Sequence, residues 1–297
     1  MSIMLSFDFF SPIEPIHLAH YADKQLTVHL KRDDCIHPFI SGNKWRKLKY
    51  TLMDAQKKQK THLVTFGGPW SNHLLATACA AAKFGFKSTA YVRGEAVNNP
   101  NLQLCKLFGM SCIFINRMAY RDKPHLFQAY HGSDTQAYFI DEGGFGPEAV
   151  KGCAEIIDEI LQETYDHIFC ACGTGTTIAG LSLGLKKHRL PTQLHGVPVL
   201  AGGDFLHAEI AQLAPQARVI LHTEFHFGGY AKTKPELLTF IQHFVAQTGI
   251  LIEPVYTGKL FYALHQLITQ QYFEPNSKIL VLHTGGLTGI LGKLDEF

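Results

Sequence analysis

One lysine of this chain stands where a helix disfavours positive charge. Residues 41–48, SGNKWRKL, read as a tight turn that runs into a helix. The apolar side chains after this turn recur at helical spacing, at Trp45, Leu48, Leu52 and Ala55. Lys44, Arg46, Lys47 and Lys49 crowd the first turns, where the helix dipole opposes each cation by about 0.3–1 kcal/mol. The crowding indicates a bound anion or a lysine that works uncharged, and a covalent bond to an aldehyde would make Lys44 such a catalyst.

Polar turns before helices supply candidate anion sites. Ser41 or Asn43 is expected to cap the helix that carries the lysine. Residues 67–73, GGPWSNH, follow a predicted strand and precede a predicted helix. Ser71 and Asn72 suit the cap of that helix, and the exposed amides at its start can bind a carboxylate. The alternative is that Ser71 only caps the helix.

The glycine-rich loop at 172–177, CGTGTT, predicts a phosphate site. Small residues and free amides at a helix start form a nest for phosphate. No Gly-Lys-Ser/Thr follows, so the loop is not a Walker motif, and it lacks the third glycine and the acidic residue of a dinucleotide fingerprint. The hydroxyls of Thr176 and Thr177 favour a phosphate monoester. A nucleotide site is indicated only if this loop is taken alone.

Two further turns complete the set of candidates. Residues 283–289, HTGGLTG, place a hydroxyl after a predicted strand, and the glycines would let a flat ring approach the backbone. A tight turn without a ligand is the alternative. In the turn at 253–259, EPVYTGK, Tyr256 is a core phenol or a proton-transfer group.

A lysine, a carboxylate site, a phosphate nest and a hydroxyl for a ring nitrogen are together what pyridoxal phosphate needs. The chain also resembles the fold-type II pyridoxal-phosphate enzymes, and among them the 1-aminocyclopropane-1-carboxylate deaminase / D-cysteine desulfhydrase family. The similarity lies in segments that follow the family's order, at 41–48, 71–73, 172–177, 253–259 and 283–286. The segments around Lys44 and Tyr256 are the specific ones.

The resemblance implies a role for each candidate. Lys44 would hold the cofactor covalently and then move the Cα proton, while Lys47, one turn away, would lower the pKa of Lys44 by repulsion. The substrate carboxylate would be bound by Ser71 with the amides of Asn72 and His73. The cofactor would be bound by Asn72 at its phenolic oxygen, by the phosphate loop Gly173, Thr174, Gly175, Thr176 and Thr177, and by Thr257 and Thr284 near its ring nitrogen. Tyr256 and Tyr230 would be the active-site tyrosines.

Two threonines bear on the reaction. The deaminase branch has Glu after the tyrosine and Leu after the last histidine, whereas this chain has Thr257 and Thr284. A neutral hydroxyl leaves the ring nitrogen largely unprotonated and so favours expulsion of a good leaving group over opening of a cyclopropane. We therefore expect α,β-elimination from a small amino acid, D-cysteine above all, to pyruvate, ammonia and sulfide. The alternatives are the deaminase, a β-replacing enzyme, a racemase, or a cofactor-binding protein without turnover.

Some positions depart from the family pattern. Pro69-Trp70 stands where Ile-Gln is usual before Ser-Asn-His, and Thr176 replaces a glycine in the phosphate loop. Trp70 beside the carboxylate site would narrow or reshape the substrate pocket. These departures concern the substrate rather than the cofactor.

Alternating strand and helix patterns predict an α/β fold of two open, twisted parallel sheets, with helices on both faces. The predicted strands are 63–66, 89–92, 112–115, 137–140, 167–171, 194–197, 219–221 and 279–282. The predicted helices are 74–84, 102–107, 147–164, 178–187, 208–213, 237–248 and 259–270. A Gly/Pro cluster at 141–147 suggests a domain crossing, and the tryptophan synthase β-like fold implied by the resemblance places the cofactor in the cleft. We expect a large cofactor-binding domain, 1–42 with 147–297, and a small domain, 43–146.

Composition limits the partners. The 297 residues carry a net charge of +2 and no basic stripe, which argues against nucleic acid. The longest apolar stretch, 74–82, is too short to cross a membrane, and residues 1–10 lack the features of a signal peptide. Seven scattered cysteines suit a reducing cytoplasm, and the lone pair Cys170 and Cys172 makes a zinc site improbable, so no metal is expected. The resemblance implies a homodimer.

Overall fold

The structure is a computed structural model that describes residues 7–297. The expectation about a signal peptide therefore falls partly, at residues 1–6, outside the described residues. Among residues 7–297, no helix has the length and apolar character required to cross a bilayer.

The larger sheet has six strands in the order β1-β2-β10-β7-β8-β9. Its strands are β1 (Ile13–Pro15), β2 (Thr27–Lys31), β7 (His167–Cys172), β8 (Gln193–Pro198), β9 (Ile220–Leu221) and β10 (Lys278–Leu282). All neighbours are parallel except β1, which pairs antiparallel with β2 at the edge. The smaller sheet is wholly parallel, in the order β5-β4-β3-β6. Its strands are β3 (His62–Gly67), β4 (Lys87–Arg93), β5 (Ser111–Ile115) and β6 (Ala137–Ile140).

Ten α-helices connect these strands within the described residues. They are α1 (Ala19–Asp23), α2 (Asn43–Lys57), α3 (Asn72–Phe84), α4 (Pro100–Leu107), α5 (Lys123–His131), α6 (Pro147–Asp158), α7 (Thr176–His188), α8 (Phe205–Leu213), α9 (Pro235–Thr248) and α10 (Thr257–Thr269). The α/β fold with two parallel-sheet units confirms the sequence prediction. The predicted helix at 147–164 is too long, since α6 ends at Asp158, and α1, α5, β1 and β2 were not predicted.

Each sheet is covered on both faces because its inner residues alternate between two apolar layers. In β7, Phe169 packs toward α9 and α10, whereas Ile168 packs toward α6 and α7. In β3, Leu63 packs beneath α2 and α3, whereas Val64 lies in a separate cluster with Leu126 of α5. Burial on both faces explains why these strands read as continuous apolar runs.

Helix α2 links the two sheets. Its apolar residues Trp45 and Leu48 lie in the core of the small sheet, while Lys49 pairs with Glu155 of α6, beside the large sheet. A helix shared in this way gives no sharp boundary, so the division of the chain at 42/43 and 146/147 stays a prediction.

Candidate functional site

A cavity of about 840 Å³ contains nearly all of the predicted site residues. It lies between the two sheets and is bordered by the segments that follow β3 and β7, as expected for carboxyl ends of parallel strands. The predicted residues that line it are Lys44, Ser71, Asn72, His73, Gly173, Thr174, Gly175, Thr176, Thr177, Tyr230 and Tyr256. Segments up to 212 positions apart in the chain thus meet in one site.

Lys44 is placed and tuned as a nucleophile. Its side chain is half-buried, and Nζ donates to Oδ1 of Asn43 at 2.5 Å. Burial, followed by repulsion from Lys47, lowers the pKa of Lys44 to about 7. An amine with that pKa is substantially uncharged near neutrality and can attack a carbonyl. The predicted influence of Lys47 has the expected sign but is the smaller cause.

The turn that presents Lys44 is fixed by the last strand of the large sheet. Gly42, with φ of +61°, is the N-cap of α2, and no side chain caps it. A Cβ at Gly42 would lie 1.8 Å from the carbonyl oxygen of Thr284, and the Asn43 amide donates to that oxygen at 3.2 Å. The prediction that Ser41 or Asn43 caps α2 is wrong, because Asn43 donates instead to the Thr177 hydroxyl at 3.0 Å.

The start of α3 forms the second part of the site. Ser71 is its N-cap and accepts from the Leu74 amide at 3.4 Å. The first-turn amides of a helix have no partner within the helix, so those of Asn72 and His73 can donate to an anion. The Thr65 hydroxyl donates to the carbonyl of Ile140 at 3.0 Å and forms a second hydrogen bond, of 2.7 Å, with Nε2 of His73. Within residues 7–297, the buried Nδ1 of His73 has no hydrogen-bond partner.

The loop before α7 has the form of an anion nest. Gly175 adopts φ of +75° as the N-cap, with no side-chain cap. Thr176 and Thr177 are buried behind it, and the Thr174 and Thr176 hydroxyls lie 3.1 Å apart. The helix start therefore offers free amides and the positive end of a dipole to a phosphate.

A tyrosine pair lies above that loop. The rings of Tyr230 and Tyr256 meet edge to face, with centroids 6.0 Å apart. A Cβ at Gly173 would come within 3.2 Å of the Tyr256 ring. Burial raises the pKa of Tyr256 well above its usual value, so its hydroxyl stays protonated. Lys259 fixes the loop before Tyr230 by donating to three carbonyls, those of Val199, His226 and Gly229.

Thr257 and Thr284 lie just outside the cavity lining. The Thr257 hydroxyl is 3.3 Å from Oε1 of Glu253 and also accepts from the Glu253 amide at 2.9 Å. Glu253 is fully buried and lines the cavity. Its Oε1 accepts from the Tyr256 and Thr257 amides at 2.7 and 2.8 Å, and its Oε2 from the Val255 amide at 2.8 Å. The carboxylate is thus engaged by the start of α10.

Sequence reasoning missed seven residues with charged side chains that line the cavity: Arg93, Lys123, Asp141, Glu142, Glu209, Glu253 and Lys293. Glu253 could have been found from its type, since a carboxylate at a helix start is favourable. Arg93, Lys123 and Glu142 have no motif, because they come from the end of β4, the start of α5 and a 3-10 turn after β6. Glu142 lies 3.8 Å from Arg93 and 3.5 Å from Lys123, so these three charges meet only in the folded chain.

The residues present fit pyridoxal phosphate. Lys44 offers an amine with a pKa of about 7, the loop 173–177 offers amides to a phosphate, and both lie on the wall of the same cavity. The unpartnered nitrogen of His73 and the aromatic ring of Tyr256 add a polar and an apolar surface for a flat, polar ring.

Comparisons with known proteins agree with this site. The family model described as "Pyridoxal-phosphate dependent enzyme" matches residues 11–285. A Pyrococcus horikoshii protein, whose own assignment as a 1-aminocyclopropane-1-carboxylate deaminase is provisional, is 32% identical over 280 residues, covering 88% of this chain and 85% of the relative. A mitochondrial bifunctional D-cysteine desulfhydrase/1-aminocyclopropane-1-carboxylate deaminase of Arabidopsis thaliana is 30% identical, covering 90% of this chain and 74% of the relative.

Structural similarity extends over the whole fold. The crystal structure of a 1-aminocyclopropane-1-carboxylate deaminase homologue superposes with a TM-score of 0.86 at 30% identity, and the match covers 97% of this chain and 93% of that one. The match of the family model over most of the chain and the agreement of fold and cavity confirm the resemblance seen in the sequence. The chain belongs to the pyridoxal-phosphate dependent enzyme family.

Proposed function

We propose that this protein catalyses α,β-elimination from a small amino acid, with D-cysteine as the preferred substrate and pyruvate, ammonia and sulfide as products. The observation that carries the proposal is the half-buried amine of Lys44, whose pKa is lowered to about 7, in one cavity with a phosphate nest and a carboxylate-binding helix start. When bound, pyridoxal phosphate supplies the electron sink that stabilises the charge left on Cα.

Lys44 is proposed to serve twice. Its uncharged amine would hold the cofactor covalently, and its Nζ would also be the base that removes the Cα proton of the substrate. Asn43 Oδ1, 2.5 Å from Nζ, limits the positions that this amine can take. Repulsion from Lys47 disfavours the charged form of Lys44, so the base is available at neutral pH.

The substrate carboxylate is proposed to bind at the start of α3, through the Ser71 hydroxyl and the amides of Asn72 and His73. Lys44 lines the same cavity as this helix start. The phosphate is proposed to lie on residues 173–177. Tyr256 keeps its proton and lies against this loop, so it is suited to hydrogen-bond or protonate the leaving group, with Tyr230 orienting its hydroxyl.

Two reactions known among the relatives remain candidates, since the Arabidopsis relative is named for both. The residue after Tyr256 favours desulfhydration, because Thr257 provides no carboxylate that would keep the cofactor's ring nitrogen protonated. The Glu253 carboxylate nearby accepts three backbone hydrogen bonds at the start of α10, so its oxygens are already occupied by backbone donors. The proposed roles of Thr257 and Thr284 near the ring nitrogen rest on the resemblance, since neither lines the cavity.

The experiment is to supply the purified holoenzyme with D-cysteine, L-cysteine, β-chloroalanine and 1-aminocyclopropane-1-carboxylate, and to measure sulfide, pyruvate and ring-opened keto acid. We expect sulfide and pyruvate from D-cysteine. Ring-opened product without sulfide would replace the proposal by the deaminase, and no turnover of any compound by cofactor-loaded protein would refute it.

A pair of variants tests whether Lys44 is the residue that holds the cofactor covalently. Lys44→Ala should abolish the visible absorbance of the bound cofactor and lower the elimination rate by about 10²–10⁴-fold, because it removes both the covalent anchor and the base. Lys49→Ala, on the same helix but paired with Glu155 at 2.7 Å outside the site, is the matched control and should keep both properties. Equal losses in the two variants would point to a folding defect.

A cytoplasmic homodimer is the proposed physiological form. All seven cysteines are free, and five of them are buried, which supports a reducing compartment. The dimer rests on the family resemblance, and sedimentation of the purified protein tests it: a monomer at micromolar concentration would refute that part.

A further inference from the structure

Two histidines and an aspartate meet at the end of the small sheet that lies away from the cavity. His62 begins β3, His131 ends α5, and Asp134 lies in the turn before β6. One potential ligand atom from each residue lies within 4.8 Å of the other two. Because β3 rises about 3.3 Å per residue, this cluster and the cavity at the other end of β3 are separate sites.

Both imidazoles direct the same nitrogen toward one carboxylate oxygen. Asp134 Oδ2 lies 3.1 Å from His62 Nδ1 and 3.9 Å from His131 Nδ1. The opposite nitrogens are held by two hydroxyls of β4: His62 Nε2 lies 2.9 Å from Thr89 Oγ1, and His131 Nε2 lies 3.1 Å from Tyr91 OH. In the tautomer whose Nε2–H groups donate to these hydroxyls, the Nδ1 lone pairs are free for a metal ion, an arrangement typical of metal-binding histidines. In the other tautomer, Nδ1–H of His62 donates to Asp134.

A hydrogen bond alone explains only part of this geometry. The 3.1 Å contact between His62 and Asp134 is a normal hydrogen bond, but 3.9 Å from His131 to the same oxygen is too long for one. Ligands at about 2.0–2.1 Å in a tetrahedral zinc site are separated by about 3.3 Å, a value that falls between the two observed distances.

We propose that Nδ1 of His62, Nδ1 of His131 and a carboxylate oxygen of Asp134 bind a divalent transition-metal ion, with Zn²⁺ as the favoured class and water as the fourth ligand. Two imidazoles and one carboxylate suit Zn²⁺ better than Mg²⁺ or Ca²⁺, which prefer oxygen ligands. The Asp134 side chain is 36% exposed, so the ion and its water have a route in. The expectation of no metal rested on the lone pair Cys170 and Cys172, whereas the three ligands proposed here are far apart in the sequence and form no motif.

The site would stabilise structure rather than take part in the reaction. It joins the end of α5 to the start of β3, and α5 begins at Lys123, which lines the cavity. The ion would therefore fix the helix that forms one wall of the cavity, without contact with the substrate.

The test is calorimetric titration of chelator-treated holoenzyme with ZnCl₂, together with thermal unfolding and Co²⁺ absorbance. We expect one saturable site per chain, a rise in the unfolding temperature, and Co²⁺ bands without thiolate charge transfer, since none of the ligands is a cysteine. No saturable binding below millimolar zinc, or a thiolate band from Co²⁺, would overturn the proposal.

Variants assign the site to its residues. Asp134→Asn keeps an acceptor for the Gln136 amide, 2.9 Å from Oδ1, but should abolish the tight site. Thr89→Val removes only the outer hydrogen bond and should weaken zinc binding by about tenfold, which keeps the test decisive if the aspartate variant fails to fold. His243→Gln changes an exposed histidine of α9 and is the control; equal zinc affinity in all three variants would refute the assignment.

Discussion

Removal of one buried guanidinium should loosen the helix that carries the catalytic lysine. Arg46 is 1% exposed and donates to both oxygens of Asp33, at 2.8 and 3.1 Å, and to both oxygens of Glu159. In Arg46→Met, Glu159 would keep Lys31 at 2.8 Å. Among residues 7–297, the fully buried carboxylate of Asp33 would keep only the Ser11 hydroxyl, at 2.6 Å. Because a buried charge loses its partner, we expect a decrease of about 3–5 kcal/mol in the free energy of unfolding.

The measurement is urea-induced unfolding of the holoenzyme, followed by circular dichroism and tryptophan fluorescence. Lys151→Met is the control, because its exposed pair with Glu148 should contribute no more than about 0.5 kcal/mol. The double variant Arg46→Met/Asp33→Asn should recover part of the loss, since it removes the unpaired charge. A decrease below about 1 kcal/mol for Arg46→Met would refute the argument that the buried pair holds α2.

Three further changes follow from buried cations and imidazoles. Burial lowers the pKa of His195 to about 3. Because the fold needs the neutral ring, the free energy of unfolding should fall by about 1.4 kcal/mol for each pH unit below about 6.5. Urea unfolding at pH 7.5 and 5.5 should therefore show a smaller difference in stability for His195→Phe than for the unmodified protein. Lys47→Met removes a repelling charge, so the pKa of Lys44 should rise, and reconstitution of the apoprotein with pyridoxal phosphate, followed by absorbance, should need higher pH. Lys259→Met removes three hydrogen bonds donated to carbonyls, although the carbonyls of His226 and Gly229 keep backbone amide donors, and it should lower the free energy of unfolding by about 1–3 kcal/mol. If Tyr230 is positioned through these three bonds, kcat should fall while the cofactor absorbance stays.

The sequence predicted the parts of the site that depend on local chain geometry. The phosphate loop before α7 could be recognised because its small residues are contiguous and lead directly from an apolar strand into a helix. Helix α2 was recognisable from the period of Trp45 and Leu48. The cap of α2 was not, because the role of Gly42 comes from contact with Thr284, more than 200 positions away.

Strand β2 and helix α5 were not predicted because tertiary contacts, and not their local sequence, stabilise them. Strand β2 contains the buried Lys31, whose ammonium pairs with Glu159 at 2.8 Å and donates to the Ser11 carbonyl at 2.5 Å. A charged residue in a short segment otherwise argues against a buried strand. Helix α5 has only one buried residue, Leu126, so its periodicity is too weak to see. In both cases a tertiary contact supplies what the local pattern lacks.

The crowded cations at the start of α2 have two different explanations. Lys44 and Lys47, three positions apart, line the cavity, and burial lowers the pKa of both. Arg46 and Lys49 instead pair with Glu159 and with Glu155 of α6. The unfavourable effect of the dipole is therefore reduced at Lys44 by partial loss of its charge, and it is offset at Arg46 and Lys49 by acidic partners. Because those partners belong to another helix, α2 gains its stability, and Lys44 its position, only when the two sheets are packed together.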